Sequence, residues 1–526
     1  MAAEAVTARW WALGRGDIDA TVAQCGFTLA QVIIPAALLI PAGIPLAFGI
    51  THFIPGAALG ILVGSLGLIA LALGIRKREN RTDVTAHPYG VSVPAMLAYT
   101  LGIMLPAYLQ THDVNHAWQM GAAAVVWTGI FKLVAAPFAG LIRRVTPTPA
   151  MMSVFAAAMY SFLLLVLLQR IFDSPLLGIV ALTIVALCVL GNVPITRWKI
   201  PPFLVAWLVP LAIGLGIHYV HPVWPGIKFG VPFALVPGLV GGLKLTVPFF
   251  SVIVPMSVYH ILQDIASVEG ASAAGDDYDA RSVVAWDGIG TLVCGLAGSV
   301  VTPIVLAIHP PFKALGVRTG FLFWTPVVLL AATMSGLLLF AAQLYPWPIL
   351  SAMLAYISVG VGRTTLNRVE RKYYSAVLLG FIIPTGAVVM LAINGALPAL
   401  RVSLADPMVH AALNRVVYWD SMQGLGNGFL MLVLVITAMI SEVIDRRFGH
   451  AAAWCLAASV FSWVGLMHSA TAHWGAQPNY ALGWLIAAIM VFSAQWWKGE
   501  TETVAAPEIK VEVREASTRA AGSVVK

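Results

Sequence analysis

The sequence predicts an all-α polytopic membrane protein made of two inverted halves of seven spans, with about two extra C-terminal helices. Three observations carry that reading. Of 526 residues, 60% are hydrophobic and only 10% charged, where a soluble domain carries about a quarter charged residues. Apolar stretches long enough to cross a bilayer recur along the whole chain. Two of them are interrupted by a His-Pro pair at matching places in the two halves. The composition excludes an ordinary soluble domain, extended disorder, collagen and a disulfide-stapled module. The net charge of +7 reads as cytoplasmic loops, not as a nucleic-acid surface. Cys25, Cys188, Cys294 and Cys455 lie in apolar runs without CxxC spacing, as small core residues do.

The spans follow in order. The first half holds helices near 22–41, 54–75, 86–109, 118–141, 149–169, 175–192 and 201–220. The second holds 247–269, 283–299, 302–315, 319–344, 347–362, 373–394 and 424–445, and two more follow at 450–468 and 480–497. That makes roughly sixteen, with 302–315 too short to span as one helix of about 20 residues. The chain therefore divides into an N-terminal segment 1–21, a first repeat 22–245, a second repeat 246–445, two additional spans within 446–498 and a disordered tail 499–526. Basic residues collect in alternate loops, at Arg76–Arg78, Arg143–Arg144, Arg363–Lys372 and Arg446–Arg447. By the positive-inside rule those loops and both termini are cytoplasmic. Trp10–Trp11 and the polar RGDID at 15–19 precede any apolar run, so no signal peptide is read.

The interrupted segments are TAHPYGVSVP (85–94) and TPIVLAIHPPFKALG (302–316). Proline lacks an N–H and disfavours helix in the residue before it, so both segments should enter as extended chain and turn helical afterwards. Irregular backbone at membrane depth survives only where protein covers it or it lines a cavity. The helices that follow then aim free N–H groups into that cavity. Each segment is the third span of its half, and an odd number of spans per half inverts the repeat.

PGAALGILVG (55–64) with RTDVTAHPYGVSVP (81–94), and DGIGTLVCGLAGS (287–299) with HPPFKALGVRTG (309–320), resemble the second and third and the ninth and tenth spans of the xanthine/uracil permease superfamily, the nucleobase–cation symporters. MSVYHILQDIASVEGASAAGD (256–276) resembles a bacterial permease-like subgroup. The resemblance covers roughly residues 15–445. It implies a core and a gate domain, short strands in spans 3 and 10, substrate between those strands against spans 1 and 8, alternating access, a proton as coupling ion and a homodimer. That family carries carboxylates in mid-span 8 and at the start of span 10; the aligned positions here are Met256 and Ile308.

The candidate substrate-binding residues are Tyr259, His260, Gln263, Asp264, His87, Tyr89, His309, Phe312 and Gln24. His260 and Asp264 are one helical turn apart, and Gln263 shares their face. Asp264 could stabilise protonated His260. Gln263 offers an acceptor and a donor to a planar amide edge. Tyr259, Tyr89 and Phe312 could stack on a flat ring. Lys132 in span 4 either snorkels or pairs with a buried acid. Glu269 and GDDYD (275–279) read as cytoplasmic loop, and Glu442 and Asp445 as interface anchors.

The absence of HExxH, of a phosphate-binding GxxxxGK[ST] loop and of GxSxG speaks against an enzyme, and no cofactor or metal is expected. The reading is a secondary active transporter (a permease or symporter) in a bacterial cytoplasmic (inner) membrane. It moves a small polar solute, a purine- or pyrimidine-like nucleobase such as xanthine or urate, with protons as coupling ion. The alternative is an anion transporter or channel of the sulfate, bicarbonate or carboxylate type, which shares the architecture. Two helix N-termini aimed at a site without the family's carboxylates favour an anion. The partners are the small-molecule substrate and the lipid bilayer, with no nucleic acid.

Overall fold

The computed structural model describes residues 10–191, 193, 202–224 and 236–497. The expected tail at 499–526 lies outside the described residues. Sixteen helices, named in chain order, carry the architecture: α1 Arg15–Val32, α2 Ile54–Glu79, α3 Val93–Tyr99, α4 Val114–Ala135, α5 Thr148–Ala156, α6 Pro175–Val185, α7 Pro202–Gly216, α8 Phe250–Ala273, α9 Ala280–Leu296, α10 His309–Ala314, α11 Gly320–Met334, α12 Trp347–Arg368, α13 Tyr374–Ile382, α14 Phe429–Ile444, α15 Phe448–Trp463 and α16 Pro478–Ser493. Strand β1, Tyr89–Val91, precedes α3, and β2, Pro303–Val305, precedes α10.

Among the described residues eight helical segments are long and apolar enough to cross a membrane. A ninth is formed if Trp419–Gly426 and α14, bent by 75° at their junction, count together. The remaining helices are shorter than the sequence suggests. The two interrupted segments also differ. After β1, helix runs from Val93 through to Thr111. After β2, α10 stops at Ala314, because Gly316 turns the chain at φ +75°. The first helix starts before residue 22, at Arg15. Asp17 accepts from the Gly14 N–H at 3.2 Å and from the N–H groups of Arg318 and Phe321 at 3.0 and 3.3 Å. The polar run assigned to the N-terminal segment 1–21 is thus a capped first turn of α1, tied to α11.

Packing separates two domains. In the core, α9 lies between α2 and α4, and α11 lies against α1 and α2. In the gate, α12 packs on α5 and α6, and α14 on α5 and α13. Helices α15 and α16 pair with each other, and α15 leans on α14. The glycine-rich motifs explain the tightness of the core. A Cβ at Gly64 would lie 2.4 Å from the Tyr89 ring, and one at Gly290 would lie 2.5 Å from the Tyr89 hydroxyl. Only hydrogen at both positions lets α2 and α9 close around that side chain.

Candidate functional site in the crossing of two broken spans

Proline and extended chain place β1 and β2 side by side at the centre of the core. They pair antiparallel in the register Tyr89↔Val305, Gly90↔Ile304 and Val91↔Pro303. The ladder continues at both ends, with Ser92 N–H on Thr302 O at 2.9 Å and Leu306 N–H on Pro88 O at 2.8 Å. Backbone groups that lipid could not satisfy are therefore satisfied within the protein.

Helices α1 and α8 grip the strands in equivalent ways. Gln24 of α1 donates to Tyr89 O at 2.5 Å, and Gln263 of α8 donates to Val305 O at 3.1 Å. The two acceptors are register partners, so the pseudo-twofold of the halves passes between them. Both amide oxygens, Gln24 Oε1 and Gln263 Oε1, are buried without a protein partner. Asp264 accepts the Val305 N–H through Oδ1 at 3.4 Å, and its Oδ2 has no hydrogen-bond partner. His260 Nε2 meets Ser92 Oγ at 2.7 Å, and its Nδ1 is free. Ser92 is the N-cap of α3, yet its side chain makes no capping bond. With the Ser92 N–H taken by Thr302 O and no N–H on Pro94, the positive end of α3 beside His260 keeps the Val93 and Ala95 N–H groups as its donors. His260 and Asp264 share a helix face but engage different partners, so the expected ion pair between them is replaced by two separate contacts with the broken spans.

Beside this cluster lies an ionic group that the sequence only half disclosed. Lys132 of α4 and Asp287 of α9 are both fully buried and meet at 2.6 Å. Lys132 Nζ also donates to Thr291 Oγ1 at 2.9 Å and to Pro303 O at 3.1 Å. Asp287 accepts from the Tyr89 hydroxyl at 2.9 Å. Tyr89 therefore uses its hydroxyl to tie β1 to α9 rather than offering its ring to a ligand. A lone cation in span 4 and a lone acid in span 9 were the available signal, since neither can stay unpaired in a bilayer.

His87 and His309 face one another, with ring centroids 4.9 Å apart, but in a second cluster with Tyr278. His309 Nε2 meets Asp276 Oδ2 at 3.0 Å. Asp276 also receives Lys313 and Arg81, each at 2.5 Å, and the Thr85 N–H at 3.1 Å. The GDDYD run is therefore not simply solvated loop: Asp276 is fully buried. Burial alone would raise its carboxyl, but hydrogen bonds from His309 and Lys313 outweigh that and hold it below the usual carboxylate range. Tyr259 is buried next to His260, with ring centroids 5.3 Å apart. Phe312 packs edge-on against Phe321 at 5.4 Å, in the wall between α10 and α11. The structure thus brings together Gln24, His260, Gln263 and Asp264, and sets His87 and His309 in their own group.

The position expected to carry a carboxylate in mid-span 8, Met256, lines a small apolar cavity between core and gate of about 50 Å3 with Phe162, Met390 and Phe429. Among the described residues no group of three or more His, Cys, Asp or Glu side chains is arranged to hold a metal ion.

No family model matches the chain, and no curated protein matches it. Among solved structures the chain is similar to the transmembrane domain of a cyanobacterium bicarbonate transporter, BicA, at 13% identity and a TM-score of 0.49, covering 73% of this chain and 95% of that one. It is also similar to SLC26A9, at 14% identity and a TM-score of 0.46, covering 80% of this chain and 65% of that one. The resemblance to the xanthine/uracil permease superfamily is accordingly corrected: no family model supports it, and these two structures are not nucleobase permeases. The physical reason lies in what the motifs do. Their glycines pack α2 on α9 and seat Tyr89, which is a property of the architecture and not of a substrate.

Proposed function

We propose that this multi-pass membrane protein is a secondary transporter of a small anion, working by alternating access of the core against the gate. One observation carries the reading. The uncapped N-terminus of α3 at Ser92 opens beside His260, while the aligned carboxylate positions hold Met256 and Ile308. The Val93 and Ala95 N–H groups of that first turn, an imidazole and a serine hydroxyl suit the oxygens of bicarbonate, sulfate or a small carboxylate. Gln24 and Gln263 fix the two strands, so a displacement of α1 or α8 is felt directly at the binding backbone. Asp264, with one oxygen free, is the group we assign to carry a coupling proton, because a buried carboxylate needs a partner or a proton. We assign the chain to a bacterial cytoplasmic membrane with the arginine-rich loops inside, and as a homodimer.

The test is uptake by purified protein in liposomes. Bicarbonate, sulfate and acetate are offered with and without a pH gradient. Accumulation of at least one anion, lost in Gln263→Ala and His260→Ala at unchanged expression, is the expected result. Normal uptake in both variants would overturn the site, and no anion flux in the parent protein would overturn the function.

A further inference from the structure

A second cavity, polar and of about 440 Å3, opens at the arginine-rich end of the molecule. Its walls come from both domains. The core supplies Arg143 and Arg144, just beyond α4, and the gate supplies Arg368 at the end of α12 and Glu370 just after it, with Glu442, Asp445 and Arg447 at the end of α14. Most of these charges are matched. Arg143 pairs with Glu269 at 2.8 Å. Arg447 meets Asp445 at 3.0 Å and Glu442 at 3.6 Å, and Asp445 also takes Lys372 at 2.9 Å. Arg144 and Arg368 are left over: neither forms an ion pair or hydrogen bond with a described residue. In the same wall the Ser441 hydroxyl is buried without a partner.

We infer that Arg144 and Arg368 form a vestibular site that captures an oxyanion between core and gate, before it reaches the central site or after it leaves. Two guanidinium groups can receive one carboxylate or sulfate in forked hydrogen bonds. Arg368 belongs to the gate, yet its guanidinium lies against Gly270 of α8. Gly270 is seven residues beyond Gln263, on the same face of α8 and about 10 Å along its axis. The vestibule and the central site therefore lie along one face of one helix. An anion held by Arg144 and Arg368 would bridge the two domains that must separate, so its binding is coupled to their opening. This inference rests on the anion reading of the central site.

The experiment uses sulfate as probe on the full-length protein in two measurements. In the first, sulfate is titrated calorimetrically into detergent-purified parent protein, the R144Q/R368Q variant, the H260A/Q263A variant and the charge control K77Q. Binding that persists in H260A/Q263A and in K77Q but weakens about tenfold or more in R144Q/R368Q is expected. In the second, the anion that the parent transports is exchanged across liposomes from each side. R144Q/R368Q should raise KM several-fold on the arginine-rich face alone and leave kcat unchanged. Sulfate binding and KM unchanged in R144Q/R368Q would overturn the vestibular site. Failure of the parent to transport any anion, with the titration result intact, would overturn the transporter reading and leave the arginine site standing.

Discussion

Replacing Lys132 by methionine should be among the most damaging single changes in the core. The ammonium is fully buried and makes three contacts, to Asp287 Oδ2, Thr291 Oγ1 and Pro303 O. Methionine keeps much of the length and apolar bulk of the stem, so little packing is lost. What it removes is the cation that, among the described residues, contacts Asp287, which is left with the Tyr89 and Thr291 hydroxyls and the nearby Asp264 carboxyl. Breaking a buried pair by deleting one partner costs about 3–5 kcal/mol, since a buried charge loses its compensation. Asp287→Asn should also be costly, because its single amide oxygen can replace only one of the two carboxylate oxygens that take Tyr89 and Lys132, and the buried ammonium loses its counter-charge. The double variant Lys132→Met, Asp287→Leu should recover much of the single loss, because an apolar pair has no desolvation penalty to offset. The assay is the unfolding free energy in mixed micelles for the parent, Lys132→Met, Asp287→Asn, Asp287→Leu and the double variant. A Lys132→Met loss below about 1 kcal/mol, or strictly additive effects in the double variant, would refute the reasoning.

Other expectations follow from the same geometry. Gly290→Ala should displace the Tyr89 hydroxyl and cost about 1–3 kcal/mol through overpacking, with transport reduced; thermal melts that match the parent would contradict the clamp. Asp276→Asn tests the loop cluster by its pH dependence. The folded-state value of that carboxyl lies below its unfolded value, so its stabilisation is fully present above about pH 4 and lost only as acid titrates it below that. The gap in stability between the parent and Asp276→Asn should therefore stay constant from neutral pH down to about pH 5 and narrow in stronger acid; a gap that widens on acidification would reverse the assignment. Gln24→Ala should impair uptake as strongly as Gln263→Ala, because the two amides hold register partners of one ladder. Wild-type uptake with Gln24→Ala alone would break the proposed equivalence.

Much of the site could be anticipated from the chain, for reasons that differ between residues. Gln263 and Asp264 were found because polar side chains at helical spacing inside an apolar span must meet something. Their partner, the Val305 backbone, could not be read, because a backbone group carries no sequence signal. The GDDYD run lies in the loop between α8 and α9, as its polarity suggests, but the burial of Asp276 could not be read, because only the return of α10 brings His309 and Lys313 over it. The motifs behind the family resemblance say nothing of substrate, since their glycines record how closely two helices approach.

The sequence by itself determined the membrane-spanning class, the two proline-broken segments and the positions where polar groups enter apolar spans. Hydrophobic length and the chemistry of proline act locally, so no partner is needed to read them. The tertiary structure alone decided that β1 pairs with β2, that Lys132 meets Asp287 across two helices, and that Arg144 and Arg368 share one cavity. Those contacts join residues more than 150 positions apart. Their energies depend on burial and on distances of a few ångströms, which the order of residues along the chain does not encode locally.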